Sequence, residues 1–402
     1  MMKRFWKRAA ATVVSLALLG GMFPTAGAAS GNVEAKLASM TVREKVGQLF
    51  LVRPEALDFD KTSDNKTLTD AMRENLKQYP VSGIVMFRQN ITNAAQMQSF
   101  MQDYQNASAT PLLIAVDEEG GTVARLANHK AFDLPKYESA GAIGATGDTE
   151  QAKAMGRTIG GYLKPYGYNL DFAPVADVNS NPNNPVIGKR SFSSEANVAA
   201  AMVAAAVQGF HESGMLCTLK HFPGHGDTGE DSHYGTATTT KTWEEMKAVE
   251  MLPFEAGIAA GADVIMTAHI TTPNATTDGL PASLSYTMLT ERLRGELGFT
   301  GVICTDALEM QAITNHYSAK DAAVTALNAG ADLLLMPIDL REAFDGVVEA
   351  VENGEVTEER LDESVRRILT LKEKAGLSLE APQDTFAAKS KKFFNWLTQL
   401  WK

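Results

Sequence analysis

The sequence is poor in cysteine and in positive charge, and both shortages narrow the classes of protein that fit. Only two cysteines, Cys217 and Cys304, occur among 402 residues. Both lie in apolar, strand-like runs, so we interpret them as buried thiols, and no zinc-type CxxC pair or disulfide framework is indicated. The formal net charge of −11 gives no attraction to a phosphate backbone, so no nucleic-acid partner is expected.

A hydrophobic run long enough to cross a membrane comfortably is also missing. The first 28 residues combine a basic start, a short apolar run and small residues at Ala26 and Ala28. This pattern predicts a signal peptide cleaved after Ala28, and therefore an exported protein, secreted or associated with the cell envelope. An uncleaved anchor helix is the alternative.

Apolar runs and helix-like segments alternate along the rest of the chain. Continuously apolar strands separated by helices are typical of a parallel sheet covered on both faces. Eight such units predict a (β/α)8 barrel over residues 31–376, with a doubly wound open sheet as the alternative. No GxGxxG or GxxxxGK[ST] follows a predicted strand, which weakens nucleotide-binding versions of the open sheet. The predicted strands lie at 48–52, 83–87, 112–116, 170–175, 215–222, 263–269, 301–306 and 332–337. Helix-like segments lie between them, among them 243–261 before the sixth strand, and Gly214, Gly261 and Gly330 stand where helices are expected to end.

The C-terminal segment differs in character from the predicted barrel. Residues 377–388 have the composition of a linker, and residues 389–402 carry aromatic and leucine side chains at helical spacing among lysines. We expect an amphipathic helix that either packs on the barrel or contacts an anionic membrane or wall surface. No second α/β domain is expected.

Ionisable residues follow the predicted strands at their carboxyl ends, where barrel enzymes place functional groups. We therefore expect these side chains to converge on one rim. They are Asp117, Asp177, Lys220, His221, His269 and Asp306.

The loop "KHFPGHGDTGEDSH" (220–233) concentrates three histidines among glycines and acids. Asp231 and His233 are two residues apart, and in an extended segment they would project to the same side. A carboxylate beside an imidazole can form an acid/base unit on a movable arm, although a surface loop with incidental charge fits the spacing equally. A non-helical zinc site of His221, His225 and His233 is a further alternative.

At this point the residues resemble a known family. The loop is similar to the signature of the β-N-acetylglucosaminidase branch of family 3 glycoside hydrolases. Further motifs of that family occur in the same order, and the resemblance covers roughly residues 33–376. These motifs are "VDEEGGTVARL", "NLDFAPVADV", "GKRSF", "MTAHI", "PASLS" and "GFTGVICTDALEM".

The resemblance implies a retaining exo-β-N-acetylglucosaminidase, that is, a β-N-acetylhexosaminidase, without metal or cofactor. Asp306 would be the nucleophile, and His233 the general acid/base paired with Asp231. The substrate would be a terminal β-linked N-acetylglucosamine of peptidoglycan fragments (muropeptides) or chito-oligosaccharides. The residues implied to hold the sugar are Asp117, Arg125, Arg190, Lys220 and His221.

Three other activities compete with this interpretation. A histidine acid/base is neutral after donating its proton and would not repel phosphate, so a glycoside phosphorylase is a close alternative. A second uses the substrate's acetamido group as nucleophile, assisted by Asp117 and Glu118. The third is a wall-binding protein without catalytic activity.

Overall fold

A closed barrel of eight parallel strands organises the chain. The structure, a computed structural model, describes residues 29–232 and 235–379. Each of the eight predicted apolar runs contains one barrel strand. The strands are β1 (Phe50–Val52), β2 (Gly83–Val85), β3 (Leu113–Val116), β4 (Leu170–Asp171), β5 (Leu216–Phe222), β6 (Val264–Thr267), β7 (Val302–Thr305) and β8 (Leu334–Leu335).

The strand pairing closes the sheet on itself. Strands β1 to β7 pair in chain order, β8 pairs with β1, and all of these pairs are parallel. A parallel bridge between Cys304 in β7 and Leu333, just before β8, joins the two ends. The predicted (β/α)8 barrel is therefore confirmed, and the open-sheet alternative is wrong.

Helices surround the barrel, and most follow the predicted segments. The predicted helix over 243–261 is divided in two, and the helix between β6 and β7 was not predicted. The α-helices span Gly31–Ser39, Val42–Gln48, Asp70–Gln78, Ala94–Ala107, Ala140–Gly144, Thr149–Tyr166, Ala196–Glu212, Trp243–Ala248, Met251–Ala259, Gln311–Thr314, Ala319–Ala329, Leu340–Glu352 and Glu358–Lys374. A π-helix spans Thr287–Glu296, and short 3-10 helices span Pro54–Leu57, Arg88–Asn90, Gly188–Arg190 and Ala282–Leu284. Two short pairings lie outside the barrel, between Glu118–Gly120 and Val123–Ala124 and between Ala237–Thr238 and Ile270–Thr271.

Burial explains why the barrel strands do not alternate between apolar and solvent-facing side chains. Every residue of the eight strands is buried, because the helices cover the outside and side chains fill the inside. Gly214, Gly261 and Gly330 follow helices with φ of 72°, 92° and 120°, which an L side chain rarely adopts, so they end those helices as expected. Both cysteines are buried free thiols, as predicted.

The last described residues still pack on the barrel. Leu379 is only 6% exposed and lies against the hydrophobic core, so the domain extends past the predicted start of the linker at residue 377. Residues 380–402, which include the predicted amphipathic helix, lie outside the described residues, as does the predicted signal peptide. Among the residues that are described, none forms a helix with the length and apolar character needed to span a bilayer.

Candidate active site

A pocket of about 270 Å³ opens among the carboxyl ends of the strands. Asp117 follows β3, Lys220 and His221 lie near the end of β5, and Asp306 follows β7; all four line this pocket. The predicted convergence on one rim is therefore confirmed for these four residues. Arg190, from the 3-10 helix after β4, lines the pocket as well.

Lys220 links the two acidic groups on one wall of the pocket. Its Nζ donates to Asp117 Oδ1 at 2.8 Å and lies 2.6 Å from Glu119 Oε1. Arg190 clamps both oxygens of Glu119, with Nε at 2.9 Å and Nη2 at 2.8 Å. Arg125 donates to Asp117 Oδ2 at 3.0 Å. These ion pairs hold the polar atoms at fixed positions.

The network keeps its acids ionised in spite of their burial. Burial alone would raise the pKa of Asp117, but Lys220 and Arg125 outweigh it and hold that pKa well below its usual value. For Glu119, Arg190 and Lys220 likewise outweigh burial and lower the pKa from 4.5 to about 2. Burial lowers the pKa of Lys220, yet the two carboxylates raise it overall. All of these groups are therefore charged at neutral pH.

Glu119 is a pocket residue that the sequence analysis missed. Its neighbour Glu118 points away and accepts hydrogen bonds from two backbone N–H groups and, at 2.8 Å, from the Tyr162 hydroxyl. Because successive side chains of an extended segment alternate, Asp117 and Glu119 share one side and Glu118 takes the other. The expectation that Asp117 and Glu118 act together on the substrate, as in the substrate-assisted alternative, is therefore wrong, because Glu118 does not face the pocket.

Asp177 orients His221. Its Oδ2 lies 2.7 Å from His221 Nδ1, and Arg190 Nη2 lies 3.4 Å from His221 Nε2. Since the arginine can only donate, this arrangement favours the tautomer with the proton on Nδ1, donated to Asp177. The other carboxylate oxygen of Asp177 accepts from the His225 backbone N–H at 2.6 Å. One buried acid thus fixes a pocket histidine and the start of the following loop.

The His225 ring anchors the loop that carries the predicted acid/base pair. Its Nδ1 lies 2.8 Å from Thr228 Oγ1 and its Nε2 lies 3.0 Å from Ser232 Oγ. Both ring nitrogens are therefore engaged, as are those of His221, which disfavours the alternative zinc site. Asp231 is half-buried in this loop. His233, the predicted acid/base, lies outside the described residues.

Gly226 of this loop is required for close packing. A Cβ on Gly226 would lie 1.9 Å from the Val178 carbonyl oxygen, so only glycine fits there. Asn181 and Asn184 donate to carbonyls of Thr228 and His225, which fastens the loop to the segment after β4. The described part of the predicted movable arm is thus held at several points.

Asp306 is held by backbone contacts on both sides. Its N–H donates to the Thr267 carbonyl at 2.8 Å, and its Oδ1 accepts from the Ala307 N–H at 2.8 Å. His269, also expected at the rim, follows β6 and is buried beside this turn without lining the pocket, with Nε2 2.9 Å from the Ala307 carbonyl and Nδ1 2.7 Å from Ser283 Oγ. The ring therefore connects the segment after Asp306 to Ser283.

The pocket lining is balanced in charge among the described residues. Four acidic and four basic side chains line it, and apolar side chains form the remaining wall. Such a lining suits a neutral ligand with many hydroxyl groups and an apolar face better than a phosphate or another anion. The charged residues are Arg53, Asp117, Glu119, Arg125, Arg190, Lys220, Asp306 and Glu309, and the apolar ones include Val85, Phe87, Phe172, Met266, Met310, Leu335 and Met336.

A parallel barrel with its polar groups at the carboxyl ends of the strands is the architecture of a TIM-barrel enzyme. The chain matches the N-terminal domain of glycosyl hydrolase family 3 over residues 41–371. It therefore belongs to glycosyl hydrolase family 3.

Similar proteins carry related names. The chain is 38% identical over 333 residues to a "Beta-hexosaminidase A" of Pseudoalteromonas piscicida, covering 77% of this chain and 56% of the relative. A solved family 3 β-N-acetylglucosaminidase from Paenibacillus sp. is 40% identical, with a TM-score of 0.78, 84% of this chain covered and 63% of the other. A solved β-glucoside phosphorylase is 29% identical, with a TM-score of 0.75 and coverages of 86% and 60%. The chain thus spans about three fifths of the length of these proteins.

Proposed function

We propose that the chain is a retaining exo-β-N-acetylglucosaminidase that removes terminal N-acetylglucosamine from small glycans. The observation that carries the proposal is Asp306 in a charge-balanced, sugar-sized pocket at the carboxyl end of a family 3 barrel. The names of the β-hexosaminidase and β-N-acetylglucosaminidase relatives support the same substrate class.

The mechanism gives Asp306 and His233 complementary roles. Asp306 attacks the anomeric carbon while protonated His233 donates to the glycosidic oxygen, and a covalent glycosyl-enzyme forms as the aglycone leaves. Neutral His233 then takes a proton from water, the resulting hydroxide displaces Asp306, and the sugar leaves with retained configuration. Asp231 stabilises the imidazolium. Most retaining glycosidases use a second carboxyl group as the proton donor. Here the attraction between Asp231 and the His233 imidazolium keeps the catalytic proton in place, so no second carboxyl group is needed beside Asp306.

The charged network supplies the sugar contacts in this proposal. Lys220 presents a donor near the end of β5, Asp117 presents acceptors beside it, and His221 presents its unprotonated Nε2 as a further acceptor. Arg125 and Arg190 fix these acids and can donate to hydroxyl or acetamido oxygens themselves. Because the groups are already ion-paired, the pocket is ordered before the sugar binds.

Turnover of a chromogenic β-N-acetylglucosaminide tests the activity and also excludes the non-catalytic wall-binding alternative. Asp306→Ala should lower kcat by about 10⁴-fold or more, because covalent catalysis is lost. Asp133→Ala, which removes an exposed carboxylate, is the matched control and should leave kcat unchanged. Loss of activity in both variants, or in neither, would contradict the assignment.

The covalent step has its own test. A 2-fluoro glycoside should accumulate as an adduct on the peptide containing Asp306, detected by mass spectrometry after digestion. Hydrolysis without such an adduct, with inhibition by an acetamido-derived oxazoline analogue instead, would revive the substrate-assisted mechanism.

The phosphorylase is the second candidate, since one solved relative is described as a β-glucoside phosphorylase. The charge-balanced lining argues against it, because bound phosphate would need unpaired donors. Product analysis in the presence of phosphate separates the two reactions. Free N-acetylglucosamine supports hydrolysis, and the sugar 1-phosphate as main product would overturn it.

We place the activity outside the cytoplasm, on peptidoglycan fragments, because residues 1–28 have the pattern of a signal peptide. The purified exported protein should begin at Ala29, directly after the predicted cleavage site, when its N-terminus is sequenced. It should release N-acetylglucosamine from disaccharide-peptides and leave sacculi largely intact; efficient solubilisation of sacculi would contradict exo-action.

The tail of residues 389–402 is proposed as a peripheral contact with membrane or wall. Truncation after Pro382 should reduce sedimentation with anionic vesicles or sacculi and leave turnover of the chromogenic substrate unchanged. Unchanged sedimentation would remove the contact from the proposal.

A further inference from the structure

Three side chains of different chemistry meet at the amino-terminal end of the barrel, away from the catalytic pocket. His211 lies in the last turn of the helix Ala196–Glu212, Cys217 lies near the start of β5, and Asp263 precedes β6. One ligand atom from each lies within 4.8 Å of the other two. His211 Nε2 is 2.9 Å from Asp263 Oδ2 and 3.8 Å from Cys217 Sγ.

The cluster is accessible from one side. Asp263 lines a cavity of about 430 Å³ at this end of the barrel, and the His211 side chain is 27% exposed. The Cys217 and Asp263 side chains are buried. An ion could therefore enter from the cavity, while two of its ligands sit on rigid strand ends.

The geometry points to a zinc site, and we propose that His211, Cys217 and Asp263 bind one Zn²⁺ with a cavity water as fourth ligand. Imidazole, thiolate and carboxylate are all established zinc ligands. Tetrahedral zinc with bonds of about 2.0 Å to nitrogen and 2.3 Å to sulfur separates these atoms by roughly 3.6 Å. The observed 3.8 Å between His211 and Cys217 is close to that value.

Metal binding requires a rearrangement of protons. Zn²⁺ replaces the Cys217 thiol proton, which leaves to solvent, and a neutral His211 moves its proton from Nε2 to Nδ1. The contact between His211 and Asp263 must open by roughly 0.4 Å to reach a tetrahedral separation.

Lys374 opposes the metal. Its Nζ forms an ion pair with Asp263 Oδ1, so it places a positive charge beside the site. The Lys374 side chain is 53% exposed and can turn into solvent when a cation binds. Removing the Lys374 charge should therefore increase the affinity for the metal. If the three side chains served only to stabilise the fold, no such increase would be seen.

Cobalt titration of the metal-stripped full chain tests the proposal. Co²⁺ bound to a thiolate gives a near-ultraviolet charge-transfer band, and the chain has only two cysteines. We expect one equivalent of Co²⁺ to produce the band and one equivalent of Zn²⁺ to abolish it and raise Tm. Cys217→Ala should remove both responses. Cys304→Ala, which removes the other buried thiol, should keep them.

Lys374→Met provides the decisive comparison. It should increase the affinity for Co²⁺ by about tenfold, because a like charge is removed from a partly exposed site. Absence of the charge-transfer band in wild type and in Lys374→Met, with both proteins folded by circular dichroism, would overturn the proposal. A band that persists in Cys217→Ala would overturn it as well. Neither result depends on glycosidase activity, so the proposal can fail independently of the proposed function.

Discussion

At the scale of single residues, the buried ammonium of Lys220 determines the electrostatics of the pocket. It faces both Asp117 and Glu119 while being only 2% exposed. Lys220→Met would leave two buried carboxylates partly uncompensated, and we expect a loss of about 3–5 kcal/mol of unfolding free energy. Urea denaturation of wild type and variant at neutral pH measures this difference in unfolding free energy. Lys320→Met, which breaks an exposed ion pair with Glu349, is the control and should leave the unfolding free energy nearly unchanged.

The same variant has a predictable pH dependence. The pKa of Glu119 falls from its ordinary value of 4.5 to about 2 in the folded protein. Its ion pairs therefore contribute stability above about pH 4.5, and that contribution is lost as the pH falls towards 2. The difference between wild type and Lys220→Met should shrink over this window, and a constant difference from pH 7 to pH 3 would contradict the assignment.

The adjacent acids Glu118 and Glu119 allow a paired prediction. Glu119→Gln should raise KM, because the Lys220 and Arg190 contacts that order the pocket weaken. Glu118→Gln should leave KM unchanged and lower stability by about 1–3 kcal/mol, because its amide would face a hydrogen-bond donor. Steady-state kinetics of both variants measures the effect on KM, and thermal denaturation measures the effect on stability. A raised KM in Glu118→Gln alone would reverse the two roles.

The sequence contained the signal for this difference. Period-two alternation through "VDEEGG" places Asp117 and Glu119 on one side and Glu118 on the other, so the pattern predicts Glu119 beside Asp117 in the pocket. The role of His225 had no such signal. Its ring is held by Thr228 and Ser232 through a loop fold that spacing does not specify.

At the scale of elements, the loop after β5 depends on one close approach. Gly226→Ala would place a Cβ 1.9 Å from the Val178 carbonyl oxygen and displace the segment leading to Asp231. We expect kcat to fall by about 10²-fold, as for a misplacement of about 1 Å. Gly229→Ala is the matched control in the same loop, since a Cβ there meets nothing within 4 Å, and it should be near wild type. Equal losses in the two variants would show that general loop stiffness matters more than this contact.

The elements themselves were predictable to different degrees. The strands could be placed because a buried parallel strand is apolar throughout, and this pattern is local. The π-helix Thr287–Glu296 was not predicted, because its i→i+5 turns do not follow the 3.6-residue period of an α-helix and only Met288, Leu289 and Leu293 are buried. The division near Val249 was also missed, because the apolar pattern of 243–261 continues across the break.

At the scale of the whole molecule, a second buried acid network lies at the end of the barrel opposite the pocket and is centred on Asp332. Asp332, just before β8, accepts from the Ile303 N–H of β7 at 2.9 Å, next to the bridge that closes the barrel. Ser364 of the last helix donates to it at 2.7 Å. Arg294 and Arg367 pair with the same carboxylate. One buried acid thus joins the closing strand, the π-helix and the last helix, at the other end of the barrel from the pocket that contains Asp306.

Asp332→Asn should destabilise the whole barrel without changing the site. The variant leaves several arginines without their shared anion, and we expect a loss of about 3–5 kcal/mol in unfolding free energy, with KM unchanged in the folded fraction. Asp345→Asn, at an exposed pair with Arg43, is the control and should cost less than about 1 kcal/mol.

Burial would raise the pKa of Asp332, but Arg294 and Arg367 outweigh it and lower that pKa from 3.8. The contribution is therefore present above about pH 4 and lost below it, so the two stability curves should converge in acid. Curves that stay parallel down to pH 3, or a changed KM, would show that Asp332 does not close the barrel in the way its contacts indicate.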